Sequence, residues 1–349
     1  MSLNVRFGLL LLAPVLYATV ASAQQTISHP QPVDNQTITL DVGVTSKSGE
    51  PVTGLQQQDF TLLDNKTPQP ITSFQALSGD KAPVEVILVL DAINTPYERV
   101  AYARQQMDNF LRANGGHLTH PTALAFFTDK GIQMQNGFAT DGNALSDFLD
   151  HNQTGLRDIP RSTGFYGAEE RLQLSINALH MLAAHASTLP GRKVVLWVSP
   201  GWALLSGPRT DLDKRQQEQI FGTIVGLSTE LRQARITLYS IDPIGAAEAA
   251  SFRTFYYKEF LKGVSKPSQD SLGNLSLQVL ATQSGGLALN SSNDVSALLQ
   301  KALADAESYY EISFRSAPAE QPNEYHHIEV NVSKPGLYVR TRDGYYAQP

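Results

Sequence analysis

The sequence predicts an α/β protein with a mostly parallel sheet flanked by helices, accompanied by a small β-sandwich-like domain. Between residues 83 and 306, short apolar runs alternate with longer segments whose apolar residues recur at helical spacing, the pattern of a parallel sheet covered by helices. In the flanking residues 24–80 and 307–349, apolar and polar residues alternate with a period of two, as in half-buried strands. We therefore expect three segments with these boundaries after the first 23 residues.

The composition is that of a globular chain. Its 349 residues are 42% hydrophobic and 17% charged, which predicts about two domains. The formal net charge of −6 has the wrong sign for a protein that binds a phosphate backbone, so we expect no nucleic-acid partner. The chain contains no cysteine, which excludes disulfides, thiol catalysis and cysteine-ligated metal.

The first residues have the pattern of an export signal. A short positive start ending at Arg6 precedes an apolar stretch over residues 7–16 and the small residues Ala21-Ser22-Ala23. That stretch is too short and interrupted to cross roughly 30 Å of hydrocarbon. We therefore expect residues 1–23 to be a signal peptide, the protein to be periplasmic or extracellular, and the mature chain to contain no transmembrane segment.

The first β segment, residues 24–80, is predicted from one clear strand over residues 38–44 and shorter ones near 60–63 and 71–74. After residue 306, period-two alternation returns at 310–314 and 328–332. Neither segment has enough strands for a stable sheet of its own. We therefore expect the two segments to pair into one small sandwich beside the central α/β domain.

The central domain, residues 83–306, is predicted to open with a buried strand over residues 84–90. The helix that follows starts near Pro96 and has apolar residues at helical spacing. Further strands are expected at 123–127, 131–138, 194–198 and 236–241. Further helices are expected at 168–186, 211–233, 275–282 and 295–306.

The first buried strand ends in an isolated carboxylate, Asp91, at the edge where open α/β sheets bind ligands. A hard cation there takes oxygen ligands from several loops. Alternatively, Thr95-Pro96-Tyr97-Glu98 is a capping box with proline at the first helical position, and Asp91 accepts hydrogen bonds from loop amides near the positive end of the helix dipole. The residues alone leave both explanations open.

The order of several motifs resembles a von Willebrand factor type A domain. An apolar strand ends in aspartate, the loop Ser162-Thr163-Gly164 precedes a helix, and residues 196–201 (Leu-Trp-Val-Ser-Pro-Gly) end a later strand. The flanking stretches 49–55 and 309–314 resemble those of the exported VWFA-related family found in Acidobacteria. The resemblance covers roughly residues 33–346. It implies a Rossmann-like sheet and a binding role toward a protein or cell-envelope partner.

The type A family often holds one divalent ion between an Asp-x-Ser-x-Ser loop, a threonine and a second aspartate. Asp91 matches the first aspartate, Thr95 matches the second serine, and Thr163 matches the threonine. Ile93 stands where the first serine belongs, and Ser199-Pro200 stands where the second acid belongs. The resemblance therefore implies a degenerate metal-ion-dependent adhesion site with Asp91, Thr95 and Thr163 as candidate ligands of Mg²⁺ or Mn²⁺.

No catalytic motif is visible: the sequence has neither a Gly-x-Ser-x-Gly elbow nor a phosphate-binding glycine-rich loop with lysine. We therefore expect a non-enzymatic, exported binding module whose loops at the carboxyl ends of the sheet engage the partner. The candidate partner-binding residues are Asp91, Asn94, Thr95, Thr163, Ser199 and Trp202. Two alternatives stay open, a hydrolase that uses a metal-bound water at this face and a structural envelope protein with a vestigial site.

Overall fold

The computed structural model describes residues 36–79, 82–152, 164–202, 212–245 and 256–349. The predicted signal peptide and the candidate ligand Thr163 lie outside these ranges. Within them, no helix combines the length and the apolar composition that crossing a membrane requires.

The chain first forms short strands whose apolar residues face one way. In the first strand, alternate residues from Ile38 to Val44 are buried, because successive side chains of a strand point to opposite faces. The four strands are β1 (Thr37–Thr45), β2 (Phe60–Asp64), β3 (Thr67–Gln69) and β4 (Ser73–Ser78).

A mostly parallel sheet follows, in agreement with the sequence-based prediction. Its strands are β5 (Val84–Asp91), β6 (His117–Thr128), β7 (Gly131–Met134), β8 (Ala139–Asp141), β9 (Arg192–Val198), β10 (Ile236–Ile241) and β11 (Ala288–Leu289). The strand order is β11-β10-β9-β5-β6-β7, with β8 also pairing with β6. Only β7 and β8 run antiparallel to their described neighbour, so the carboxyl ends of β5, β9, β10 and β11 meet at one edge.

Helices cover both faces of this sheet. They are α1 (Tyr97–Arg112), α2 (Gly142–His151), α3 (Gly164–Ser187), α4 (Lys214–Gln233), α5 (Leu277–Gln283) and α6 (Val295–Ala304). Alternate residues of β5 supply the two cores: Ile87 and Val89 pack with α3, α4 and α5, while Val86, Leu88 and Leu90 pack with α1, α2 and α6. Burial on both faces explains why β5 is apolar almost throughout.

The last strands are β12 (Ser308–Arg315), β13 (Glu324–Val332), β14 (Tyr338–Arg340) and β15 (Gly344–Ala347). They pair with the first ones, giving two antiparallel sheets of order β14-β1-β12-β4 and β15-β13-β2-β3. Side chains of both sheets, among them Leu40, Leu62 and Phe314, form one buried cluster. The domain boundaries given above stay predictions.

Candidate functional site at the carboxyl edge

Asp91, the last residue of β5, lies between the ends of two neighbouring parallel strands. It pairs with Phe127 of β6, and the preceding Leu90 pairs with Val198 of β9. The segment that leaves β9 begins at Ser199, whose hydroxyl is close enough to the Asp91 carboxylate to act on its pKa. The topology therefore brings the Asp91 turn and the loop after β9 together at the same edge of the sheet.

The carboxylate of Asp91 organises the turn that follows β5. Its Oδ1 accepts the backbone N–H groups of Ile93 at 3.0 Å and Asn94 at 2.8 Å. Its Oδ2 accepts the Asn94 side-chain amide at 2.9 Å and the Trp197 indole N–H at 3.1 Å. An aspartate that holds amides two and three residues ahead forms an Asx-type turn.

Asn94 connects this turn to α3. Its Nδ2 also donates to Oγ of Ser175 at 2.9 Å, and the Ser175 hydroxyl in turn donates to the Arg171 carbonyl at 2.7 Å. Both Asn94 and Ser175 are buried. A chain of hydrogen bonds therefore runs from the end of β5 through the turn into the middle of a helix on one face of the sheet.

Three aromatic rings pack beneath the loop after β9. Trp197 makes edge-on contacts with Phe127 at 5.8 Å and with Trp202 at 5.5 Å between ring centroids, and such geometry is favourable for aromatic pairs. Gly201 has φ +102°, and a Cβ there would lie 2.1 Å from the Gln278 side chain. The same Gln278 donates to the Pro200 carbonyl at 3.1 Å, so the loop is fastened to α5.

The electrostatic environment of Asp91 is set by opposing effects. Burial raises the pKa of the Asp91 carboxyl, because removal from water disfavours the charged form, while the hydrogen bonds from Asn94 and Trp197 and the nearby Ser199 hydroxyl act to lower that pKa. Burial is the larger effect, so the net shift of the pKa is upward. The donors therefore offset only part of the cost of burying a charged carboxylate here.

The described residues do not fit a divalent ion at Asp91. A carboxylate has about four lone-pair positions, and the four N–H groups described above point at the two oxygens of Asp91. A cation in the same place would face the positive ends of these N–H dipoles. The metal-ligand role predicted for Asp91 is therefore not supported by this geometry. The role predicted for Thr95 stays a prediction, and Thr163 lies outside the described residues.

The predicted partner-binding residues are also enclosed. Asp91, Thr95 and Ser199 have no exposed surface, and Asn94 and Trp202 are at most 4% exposed. Direct contact with a partner would require the edge to open. Burial of Trp202 follows from its packing on Trp197. The structure thus brings these five residues together, but it places them under the surface.

Among the described residues, the start of α1 and the turn before α6 are exposed at the same edge. Tyr97, the first residue of α1, is 63% exposed. Beside it along the helix, an open groove of about 560 Å³ lies between α1 and the start of α6. The groove is lined by Tyr102, Gln106, Asn109, Asn293, Asp294 and Ser296.

Sequence-based reasoning missed this groove, although one signal was available. Tyr102, Gln106 and Asn109 follow the spacing i, i+4, i+7 and so share one face of α1. The side chains on that face are uncharged and can form hydrogen bonds. A solvent-exposed helix face more often carries charged residues. The Tyr102 hydroxyl donates to the Asn293 carbonyl at 2.5 Å, which fixes one end of the groove.

The residues of this edge that the structure describes include no cluster suited to holding a metal ion. Within the described ranges, no group of three or more His, Asp or Glu side chains is placed to hold a metal ion. The carboxylate of Asp294 in the groove accepts the Ala297 backbone N–H at 2.9 Å and caps α6. The groove therefore offers hydrogen-bonding groups.

Comparisons with known proteins give distant structural similarity only. No protein-family model and no curated protein matches the chain. Human COPII-coat protein Sec24c aligns with TM-score 0.33 and 8% identity over 76% of this chain and 44% of its own. The pilus adhesin SpaC from Lactobacillus rhamnosus GG aligns with TM-score 0.37 and 8% identity over 85% of this chain and 43% of its own.

Manganese-loaded TRAP protein from Plasmodium vivax aligns with TM-score 0.32 and 8% identity, over 78% of this chain and 96% of its own. The chain spans less than half the length of Sec24c and of SpaC. Similarity at this level assigns no function to the chain, and membership of the type A family stays a prediction.

Proposed function

We propose that the protein is a non-enzymatic binding module whose partner face is the exposed rim of the carboxyl edge, formed by Tyr97 and the polar groove between α1 and α6. The observation that carries the proposal is the groove itself, an open concavity of about 560 Å³ with an uncharged, hydrogen-bonding α1 wall. Tyrosine combines apolar contact area with a polar tip, and aromatic residues of this kind are enriched where proteins bind partners.

The buried residues predicted as a site have a supporting role in this proposal. Asp91 holds the turn that leads into α1 through Ile93 and Asn94, so it fixes where Tyr97 begins the helix. Asn94 ties the same turn to Ser175. A binding face on a rigid support loses less conformational freedom on binding, which favours affinity.

The chemistry of the groove favours binding over catalysis. Gln106 and Asn109 carry amides that do not titrate, and the one carboxylate among the lining residues, Asp294, is engaged as a helix cap. These groups orient a polar ligand by hydrogen bonds. The partner that suits them is a hydrogen-bonding protein or envelope surface, in keeping with the export expected from the first 23 residues.

The test is a quantitative capture experiment with cell-envelope extract on immobilised protein. Tyr97→Ala and the double variant Gln106→Ala/Asn109→Ala are compared with the wild type after circular dichroism has shown that each is folded. Gln173→Ala/Asn177→Ala is the matched control, because these amides are exposed on another helix, α3, and hydrogen-bond to each other. We expect both groove variants to reduce capture at least about tenfold, equivalent to ~1.4 kcal/mol, and the control to retain it.

Equal capture by the groove variants and the wild type would refute the proposal. So would loss of capture in the α3 control to the same extent, because the effect would then not be specific to this rim. A structural envelope protein with a vestigial site predicts the first of these results.

A further inference from the structure

A second polar cluster lies at the opposite end of the sheet, where β9 and β10 start. Arg235 donates to Asp41 and to Glu311, both at 2.5 Å. Arg192 lies 3.9 Å from the second Asp41 oxygen and 4.5 Å from the centroid of the Tyr309 ring. The two carboxylates of this cluster are thus matched by two guanidinium groups.

Two more guanidinium groups, those of Arg232 and Arg342, lie beside this matched set. Arg342 is only 8% exposed, and its one hydrogen bond within the described ranges is a long one, 3.4 Å from Nη1 to the Ser228 carbonyl. Arg232 has a buried Nε–H without an acceptor among the described residues. Arg342 has the carboxylates of Asp41 and Asp343 as nearby opposite charges. With Arg192 and Arg235 the cluster holds four guanidinium groups against the three carboxylates of Asp41, Glu311 and Asp343, so a net positive charge is left.

Both side chains line a small cavity between β1 and the start of β10. Its polar lining also includes Asp41, Arg235 and Thr237. The cavity volume is about 10 Å³, enough for one particle of about the size of a water molecule. The Thr237 hydroxyl oxygen accepts a long bond from Arg192 Nε at 3.4 Å, which leaves its proton to donate into the cavity.

The charges around the cavity favour a negative occupant. Three guanidinium groups and one carboxylate line it, and that carboxylate, Asp41, is already bound by Arg235. Burial, and then repulsion by Arg232, lower the pKa of Arg342 to about 10. Asp343 follows Arg342 in sequence and is the other opposite charge near it, but burial raises the pKa of its carboxyl to about 6, so this counter-charge weakens as the pH falls toward 6.

We propose that this cavity binds a single monatomic halide, chloride, between the guanidinium groups of Arg232 and Arg342 and the hydroxyl of Thr237. The small volume of the cavity favours a monatomic ion over larger tetrahedral oxyanions such as phosphate and sulfate. The excess of guanidinium groups favours an anion over a water molecule. A bound chloride stabilises the folded chain where the central sheet meets the antiparallel strand β1.

The experiment measures thermal unfolding while gluconate is replaced by chloride or bromide at constant ionic strength. We expect the Tm of the wild type to rise and then saturate with either halide, because a ligand that binds only the folded state stabilises it. The rise should be lost in Arg232→Gln and Arg342→Gln. It should persist in the control Arg99→Gln, whose side chain is exposed on α1.

Bromide-soaked crystals supply an independent readout, because an anomalous peak between the two guanidinium groups would locate the ion directly. If Arg342→Gln does not fold, the proposal is tested by Arg232→Gln, whose wild-type side chain is only half-buried, and by the bromide peak. The proposal is overturned if the wild type shows no halide dependence or if Arg232→Gln keeps the wild-type response.

Discussion

The indole N–H of Trp197 donates to Oδ2 of Asp91 at 3.1 Å, across 106 residues of sequence. The bond joins the body of β9 to the end of β5, and it occupies the carboxylate position that an ion or a partner would otherwise use. Asp91 therefore acts as an internal acceptor that shapes the carboxyl edge, and among the described residues exposed polar groups of that edge lie in α1 and in the turn before α6.

Replacement of Asp91 by alanine should lower the free energy of unfolding by about 3 kcal/mol, because several buried N–H groups lose their acceptor. Urea unfolding measures the change. Asp150→Ala is the control, since its side chain is 63% exposed, and should change stability by less than about 0.5 kcal/mol. A loss in Asp91→Ala as small as that of the control would contradict the organising role of Asp91.

Divalent ions should leave the protein unaffected. We expect the same Tm in Mg²⁺, in Mn²⁺ and in EDTA, because the Asp91 oxygens are saturated by N–H donors. Differential scanning calorimetry at constant ionic strength is the measurement. A saturable rise in Tm with Mn²⁺, reversed by EDTA, would restore the degenerate metal site implied by the type A resemblance.

The hydroxyl of Tyr345 should contribute measurably to stability. It donates to Asp64 at 2.7 Å, and the same carboxylate lies 2.9 Å from His326 Nδ1. All three side chains are buried, so Tyr345→Phe should reduce the free energy of unfolding by about 1–2 kcal/mol. Tyr338→Phe, at a residue 60% exposed, is the control, and equal effects in both variants would argue against the network.

Asp343 should make stability depend on pH in an identifiable direction. Burial raises the pKa of its carboxyl from 3.8 to about 6, so the folded state holds the proton more tightly than the unfolded state. The resulting stabilisation is present below about pH 4 and is lost as the pH rises through about 6.

The difference in unfolding free energy between Asp343→Asn and the wild type should therefore favour the variant more at pH 7 than at pH 4, by on the order of 1–2 kcal/mol. Urea unfolding of the wild type and the variant at several pH values between these limits tests this. Asp150→Asn, at a side chain that is 63% exposed, is the control against which the pH dependence of Asp343→Asn is read. A flat difference in Asp343→Asn would show that its carboxyl is not desolvated.

Long, strongly periodic segments were predictable from the sequence. The strand predicted over residues 84–90 is Val84–Asp91, and the helix expected near Pro96 is Tyr97–Arg112. Both are specified by local apolar patterns. Short elements without such patterns were missed: α2, Gly142–His151, begins at Asp141, whose side chain accepts two backbone N–H groups of the first turn.

The sequence was enough to predict the location of the candidate site, but not its burial. Topology puts Asp91 at the carboxyl edge, and the sequence pattern was enough for that. The capping box expected at Thr95 is wrong, because Pro96 is the N-cap and no side chain caps the helix. The enclosure of Asp91 depends on Trp197 and on Ser175, which contacts Asn94. Contacts between residues so far apart in sequence cannot be predicted from local apolar periodicity.

The pairing of the first strands with the last ones dictates an order of events on the ribosome. Thr39 of β1 and Ser313 of β12 are hydrogen-bonded at 3.0 Å, yet 274 residues separate them. During translation, β12 is made only after β5 to β11, so β1 cannot pair with it before then. Closure of these sheets is therefore a late step of biogenesis.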